Sequence, residues 1–305
     1  MPNSGMAADP GESRAYLVDA SVYVFRAYYS IEPSFFDREG NPSHAVYGFV
    51  GFLCTVLDQA RPSHLAVCFD EALESSFRNE IYPDYKANRE PAPPELRRQF
   101  AHCRAVAEAL GIDCFSDAEY EADDLIGTLA RRRREAGQRI TVLSSDKDLV
   151  QVLQGGDEWW DFARQRRLDP AGVEATFGVR PEQMADFLAL TGDPVDNIPG
   201  VSGIGPKSAA AILAHFGSVD TLIERLDELQ FLSFRGAKSA HRRIRDGLED
   251  LRTARRLTRI RDDAPIPEPV PDLRRRPADD AALDELFDFL DFGRLLRERC
   301  AAVSR

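Results

Sequence analysis

No run of apolar residues in this sequence is long enough to cross a bilayer, and the opening "MPNSGMAADPGESRA" lacks the apolar segment that directs export. Residues 1–14 therefore read as a disordered tail, and neither membrane insertion nor secretion is expected. Cysteine is scarce and scattered: Cys54, Cys68, Cys103, Cys114 and Cys300 form no C-x-x-C pair and have no histidine at zinc spacing. That pattern argues against a zinc module or a disulfide framework and suits reduced thiols in a cytosol. Positive charge is also short, with 39 Lys and Arg against 51 Asp and Glu for a net charge of -12. A uniformly basic surface for nonspecific nucleic-acid binding is excluded, although a local basic site is not. Tandem repeats and low-complexity tracts are missing too.

What is present is an alternation of short apolar runs and helical patterns over 305 residues, enough for two modest domains. Three runs, "AYLVDAS", "HLAVCFDEA" and "ITVLSSDKD", each end in an acid: Asp19, Asp70 and Asp146. Long helical patterns separate them, as in a parallel α/β sheet, where ligands bind beyond the carboxyl ends of the strands. A further helix opens with "YEADD", placing Glu121, Asp123 and Asp124 in its first turn. Acids there ordinarily answer to the helix dipole, worth about 0.3–1 kcal/mol each. Their convergence with other acids demands cations between them.

Two more pairs extend the set, Asp146 with Asp148 in "SSDKDL" and Asp193 with Asp196 in "LTGDPVDNIPG". Taken singly, the first pair reads as a solvated turn and the second as an Asx-type turn. Together they make nine acids without a histidine or cysteine partner, a hard-oxygen set that selects magnesium or manganese. So many carboxylates suit two ions, roughly 3.5–4 Å apart, acting on a phosphodiester.

Residues from about 71 to 96 form a long, proline-punctuated segment rich in cations and aromatics, of the kind that serves as a lid. After about residue 178 the pattern becomes all-helical, with a proline-rich linker at 265–277 and an amphipathic end. The run "RRRR" at 131–134 reads as a solvated helix face. In "PGVSGIGPKSA", Gly200, Gly203 and Gly205 allow backbone amides to approach a phosphate at a helix start. A Walker loop is excluded, because Pro206 separates Gly205 from Lys207 and no strand precedes.

In order, "LVDAS", "FD", "SFRNEIYPDYKANRE", "YEADDLIGTLA", "SSDKDLVQVL", "ALTGDPVDNIPGVSGIGPKSA", "HRRI" and "LDELFDFLDFGRLLR" resemble the bacterial 5'-nucleases. That family comprises the 5' to 3' exonuclease domain of DNA polymerase I and related flap endonucleases. The resemblance implies a PIN-like α/β nuclease domain over 15–178 with a helical lid at about 71–96. It further implies an all-helical duplex-binding domain over 179–305, containing a helix-three-turn-helix element, with the C-terminal helix packing back.

By the same resemblance, one ion is held by Asp19, Asp70, Glu121 and Asp123, with Asp124 close by, and a second is associated with Asp146, Asp148, Asp193 and Asp196. Lys86 and Arg89 match cations near the scissile phosphate, with Arg78 as a helper. Lys207 and Ser208 join the hairpin glycines as phosphate contacts, and K+ sits on hairpin carbonyls. Phe25, or nearby Tyr23 or Tyr28, is a candidate for stacking on a terminal base, with core packing as the competing use.

The implied activity is hydrolysis of DNA with two Mg2+ or Mn2+, acting on duplexes with a 5' flap or end, RNA-containing ends included, and leaving a 5'-phosphate. A monomer in the bacterial cytoplasm at the nucleoid is expected, as a stand-alone nuclease or as a fragment of a polymerase. Two alternatives are weaker. A catalytically silent DNA-binding paralogue would have lost some of the acids. A haloacid-dehalogenase-like phosphatase would explain "DKD" but not Asp19, Asp70 or the hairpin.

Overall fold

The computed structural model describes residues 13–70, 76–234 and 236–304. Strands β1 (Arg14–Asp19), β2 (His64–Cys68), β3 (Asp113–Phe115), β4 (Arg139–Leu143), β5 (Glu158–Asp161) and β6 (Arg166–Leu168) form one sheet, ordered β3-β2-β1-β4-β5-β6. Every neighbouring pair is parallel except β5 and β6. The chain builds outward from β1 through β2 to β3 and then crosses back to β4. The switch point thus falls between β1 and β4, where open parallel sheets form their ligand crevice.

Alternate residues of the central strands serve opposite faces, as the pleat requires. Leu17, Ala66 and Val142 meet Leu125, Ile126 and Leu129 of α5 (Ala122–Glu135). Val18, Val67 and Leu143 meet Phe49, Leu53 and Phe100 on the other face. That second face carries α1 (Ala20–Ser30), α2 (His44–Ala60) and α4 (Pro94–Ala109). Gly48 permits a close α1–α2 approach, since a Cβ there would lie 2.6 Å from Ala27 Cβ.

The α5 face continues into a helical half built from α6 (Pro170–Phe177), α7 (Met184–Thr191), α8 (Pro206–Phe216), α9 (Val219–Glu224), α10 (Ala237–Asp246) and α11 (Leu248–Thr258). Leu188, Ile212, Leu251 and Leu257 belong to the same apolar cluster as Leu17, so the core is continuous across the two halves. The chain then returns to the opposite face, where α12 (Asp280–Phe289) and α13 (Arg294–Val303) pack on α4 and α2. Phe287, Leu290 and Leu296 are buried there with Phe49 and Leu53.

Several local expectations change. Arg14 is not tail but the first residue of β1, paired with Arg139, and the rest of the expected tail through residue 12 lies outside the described residues. The lid is less helical than expected. Its residues 71–75 lie outside the described residues, and the remainder holds only the short α3 (Phe77–Ile81), turns from Tyr82 to Arg89, and the start of α4. Pro83, Pro91, Pro93 and Pro94 account for this, because proline blocks helix propagation beyond a first turn.

The proline-rich segment 265–277 is no loose linker. Leu273 is fully buried, and the Leu65 amide donates to its carbonyl at 2.8 Å. "RRRR" takes part in that attachment rather than forming a wholly solvated face. Arg132 pairs with Glu268 at 2.9 Å, Arg133 is largely buried and donates to the Pro271 carbonyl, and Arg134 pairs with buried Asp157 at 2.7 Å.

Candidate active site

Asp19 ends β1 and is buried, its Oδ1 accepting from the Val22 amide at the start of α1 and its Oδ2 accepting from the Ser144 hydroxyl at 2.7 Å. The same hydroxyl accepts the Asp146 amide at 2.9 Å, so Ser144 holds the exits of β1 and β4 together. Asp70 follows β2 and accepts the Ala122 amide at 2.7 Å, which fastens the first turn of α5 to the end of that strand. Asp123 stands in that turn. Topology alone therefore brings Asp19, Asp70, Asp123 and Asp146 to one end of the sheet.

Three of these acids are raised by burial and by neighbouring carboxylates. Burial pushes the Asp19 carboxyl up, Asp70 and Asp146 push it further, and it reaches about 7. Burial also drives Asp123 well above the usual carboxylate range, with Asp146, Asp19, Asp70 and Glu121 adding repulsion. Asp146 is likewise raised, by burial first, against the pull of its bond from the Asp148 amide and of Lys147 and Lys86. No Lys or Arg among the described residues forms an ion pair with any of the four. Asp148 shares the neighbourhood: burial and then Asp146 push it up to about 7, and its buried Oδ1 makes no hydrogen bond although the Lys147 ammonium lies 3.2 Å away.

The remaining predicted ligands are engaged differently. Burial alone would raise Glu121, but Lys86 at 2.9 Å and Arg78 at 3.6 Å hold it down at about 2. Asp193 accepts from Lys147 at 2.7 Å and from the Val195 amide. Asp196 pairs with Arg89 and accepts from the Tyr85 hydroxyl at 3.1 Å.

Asp124 does not face the crevice. It is fully buried, both its oxygens are taken by the Arg78 guanidinium at 2.7 and 2.8 Å, and it also accepts the Arg261 amide. Arg78 is correspondingly no phosphate ligand: it is 2% exposed, and it donates to the carbonyls of Leu257 and Arg259 as well. Asp124 and Arg78 form a structural joint between α5, the lid and the loop after α11.

Lys86 and Arg89 sit on the lid beside the acids, as expected. The Lys86 amide donates to the Asp196 carbonyl at 3.0 Å, Asn88 donates to Pro194 O, and Asn197 donates to Asp84 O. Lid and 193–197 loop are thus stitched together. A cleft of about 750 Å³ opens under this part of the lid, lined by Asp70, Glu121, Lys86, Arg89, Phe25 and Tyr29. A second hollow of about 240 Å³ is lined by Asp146, Asp148, Asp193 and Asp196.

Phe25 is half-buried at the cleft, edge-on to Phe100 with centroids 5.4 Å apart. Tyr23 is core, stacked on Phe52 at 3.7 Å, and the Tyr28 hydroxyl donates to Glu95. Tyr29 was not singled out by sequence, yet it is 73% exposed in the cleft. Ser144 was also missed, although it immediately precedes "SDKD".

In the hairpin, Gly200 serves packing: a Cβ would fall 2.3 Å from the Gly192 nitrogen, so its smallness lets two loop strands meet. Gly203 has φ of 76°, a conformation that favours glycine, and lies against Arg243. Gly205 precedes α8 and faces open space. Lys207 is exposed beside it and Ser208 is half-buried. Of the five, Gly205 and Lys207 are the most open to an incoming phosphate.

Among the described residues no three Asp, Glu, His or Cys side chains close into a metal-holding cage. The donor chemistry nevertheless fits divalent cations, since hard carboxylate oxygens are gathered and repel one another.

Comparison with known proteins agrees with this architecture. The model of the 5'-3' exonuclease N-terminal resolvase-like domain matches residues 14–178, and that of the 5'-3' exonuclease C-terminal SAM fold matches 179–281. DNA polymerase I of Rhizobium leguminosarum is 38% identical over 258 residues, covering 82% of this chain and 25% of that protein. DNA polymerase I of Mycobacterium tuberculosis is 36% identical over 303 residues, covering 96% of this chain and 32% of that protein. The chain thus spans about a third or less of these relatives.

Among solved structures, a zinc-bound T5 5'-exonuclease superposes with a TM-score of 0.64 at 20% identity, covering 96% of this chain and all of the other. The catalytic core of Rad2 in complex with DNA superposes with a TM-score of 0.62 at 15% identity, covering 96% and 91%. At these identities the likeness speaks to fold.

Proposed function

This chain belongs to the 5'-3' exonuclease family, and from that premise we propose that it is a structure-specific 5'-nuclease that hydrolyses DNA phosphodiesters next to a 5' flap or end, leaving a 5'-phosphate. The observation that carries the reading is the group Asp19, Asp70, Asp123 and Asp146, gathered at the switch point of the sheet without an ion pair among the described residues and with Lys86 on the lid beyond it. Such a group favours two Mg2+ or Mn2+, with Asp148 contributing on the Asp146 side. When bound, the cations supply an activated water and neutralise charge on the attacking and leaving oxygens.

The chain's own residues do the rest. Lys86, paired with Glu121 in the structure, would turn its ammonium to the charge developing on the phosphate. Arg89 plays the same part from the outer rim of the cleft. Phe25 and Tyr29 offer aromatic faces to an unpaired nucleotide. The amides at Gly205 and the Lys207 ammonium grip the duplex backbone without reading sequence, and hairpin carbonyls hold K+. Arg78 and Asp124 fix the lid to α5 and touch no substrate. RNA-containing 5' ends fit the same backbone-directed grip. We place the activity in the bacterial cytoplasm at the nucleoid, with the chain acting as a monomer. Among the described residues no helix is long and apolar enough to cross a membrane.

The deciding experiment incubates labelled 5'-flap and blunt duplexes with the protein, with and without Mg2+, and resolves the products on a denaturing gel. Metal-dependent cutting near the flap junction is expected. Tight binding without cutting, in Mg2+ or Mn2+, would instead favour a DNA-binding role.

A further inference from the structure

Two cysteines that the sequence scatters 246 positions apart meet in the core of the fold. Cys54, in the middle of α2, and Cys300, near the end of α13, have their sulfurs 3.1 Å apart, and both are buried. The other three thiols have no such partner: Cys68 and Cys103 are buried singly, and Cys114 is half-buried on β3. A cavity of about 390 Å³ is lined by Cys300 together with Phe287, Arg297, Ala301 and Ser304. On the α2 side, Arg299 hydrogen-bonds the Thr55 hydroxyl and brings its guanidinium next to Cys54.

We propose that Cys54 and Cys300 form an oxidant-dependent disulfide that staples the C-terminal helix to α2. Both thiols are free in the structure, as expected for reduced cysteines, and the bond forms only once an oxidant acts on them. With hydrogen peroxide as oxidant the chemistry closes. One sulfur takes an oxygen atom from peroxide as the O–O bond breaks, forming a sulfenic acid and releasing water. The second sulfur then attacks the first, the S–O bond breaks, and the departing hydroxide leaves as a second water with the second thiol's proton. Two thiols are oxidised by two electrons and one peroxide is reduced to two waters. The neighbouring Arg299 favours the thiolate at Cys54, whose acidity is raised first by the hydrogen bond from Cys300.

The structural effect is local to sheet and helix packing. α2 packs on α1, which carries Phe25, so the bond would anchor the end of the chain to the wall behind the cleft. It would also constrain an unfolded loop spanning most of the sequence, which stabilises the folded form.

The test uses the whole chain, reduced and then freed of reductant, exposed to graded hydrogen peroxide. Free thiols are alkylated in denaturant, and a non-reducing digest is read by mass spectrometry. The expected result is a linked Cys54–Cys300 peptide that disappears on reduction, because a second sulfur held 3.1 Å away intercepts the sulfenic acid before further peroxide does. Melting should shift upward by about 5–10 °C on oxidation, and Cys300→Ser should abolish both the linkage and the shift. Sulfinic acid at Cys54 or Cys300 without linkage, both thiols still free after excess peroxide, or an equal shift in Cys300→Ser would each overturn the proposal. Should Cys300→Ser fold poorly, Cys54→Ala provides the same control.

Discussion

The ammonium of Lys86 stands 2.9 Å from Glu121 Oε2, so the one lid cation nearest the clustered acids is already paired. Lys86 also has φ of 57°, held there by its amide bond to Asp196 O and by the turn that follows. The lid therefore presents a positioned cation rather than a solvated one. Replacing Lys86 with Ala should lower the single-turnover cleavage rate by on the order of 10²-fold while changing duplex affinity little, as removal of a transition-state contact does. Equal losses in rate and affinity would count against that role.

Asp146→Asn and Asp70→Asn should each reduce cleavage of a 5'-flap duplex by more than about 10³-fold while leaving duplex binding nearly intact, since cation-held water is the proposed nucleophile. Gel-based rates and fluorescence anisotropy measure the two quantities separately. Retained turnover in either variant would remove the basis of the metal assignment.

Arg78→Ala should destabilise the fold by about 3–5 kcal/mol in urea unfolding, because it strands buried Asp124 without its guanidinium. Replacing both partners with apolar residues should recover most of that loss. A cleavage defect with unchanged stability would return Arg78 to the role of a phosphate ligand.

The acids set opposite pH dependences. Asp19, raised to about 7 from an ordinary 3.8, makes the metal-free fold less stable as pH rises from about 4 through 7, because the folded state holds the proton more tightly. Glu121, lowered to about 2 from 4.5, contributes stability that is complete above 4.5 and lost as pH falls through 2. Thermal melts in EDTA should therefore peak on the acid side of neutrality. Added Mg2+ should raise the melting temperature more at pH 8 than at pH 5, and an equal gain at both would contradict cation binding among these carboxylates.

Lys207→Ala should weaken duplex binding alike across sequences and reduce the slope of log affinity against log salt by about 1. An unchanged slope would remove Lys207 from the DNA interface.

Asp19, Asp70 and Asp146 were legible because an acid ending an apolar run is a local signal, and parallel topology carries such ends to one place. Asp124 was not. It differs from Asp123 by one residue, about 100° of helix rotation, and sequence cannot say which side meets the crevice and which meets a buried guanidinium. Arg78 misled for the same reason, since a cation in a polar segment gives no sign of its burial. Gly200 has a packing duty that sequence did not reveal, since a side chain there would strike Gly192, eight residues away. The β5–β6 pair went unread, because "EWWDFARQRRL" is too short and too basic at its end to announce strands. Tyr29 and Ser144 gave no pattern at all, and the contact of Cys54 with Cys300 exists only once the last helix has returned to the sheet.

The family boundary at residue 178 is a boundary of inheritance and not of mechanics. Arg78 of the lid reaches the carbonyls of Leu257 and Arg259, while Asp124 of α5 takes the Arg261 amide. A protein cut at 178 would keep every strand of the sheet yet leave that guanidinium and carboxylate short of partners. Anyone grafting this fold onto another scaffold must carry the chain at least through Arg261, and hydrogen exchange should find the two halves opening as one.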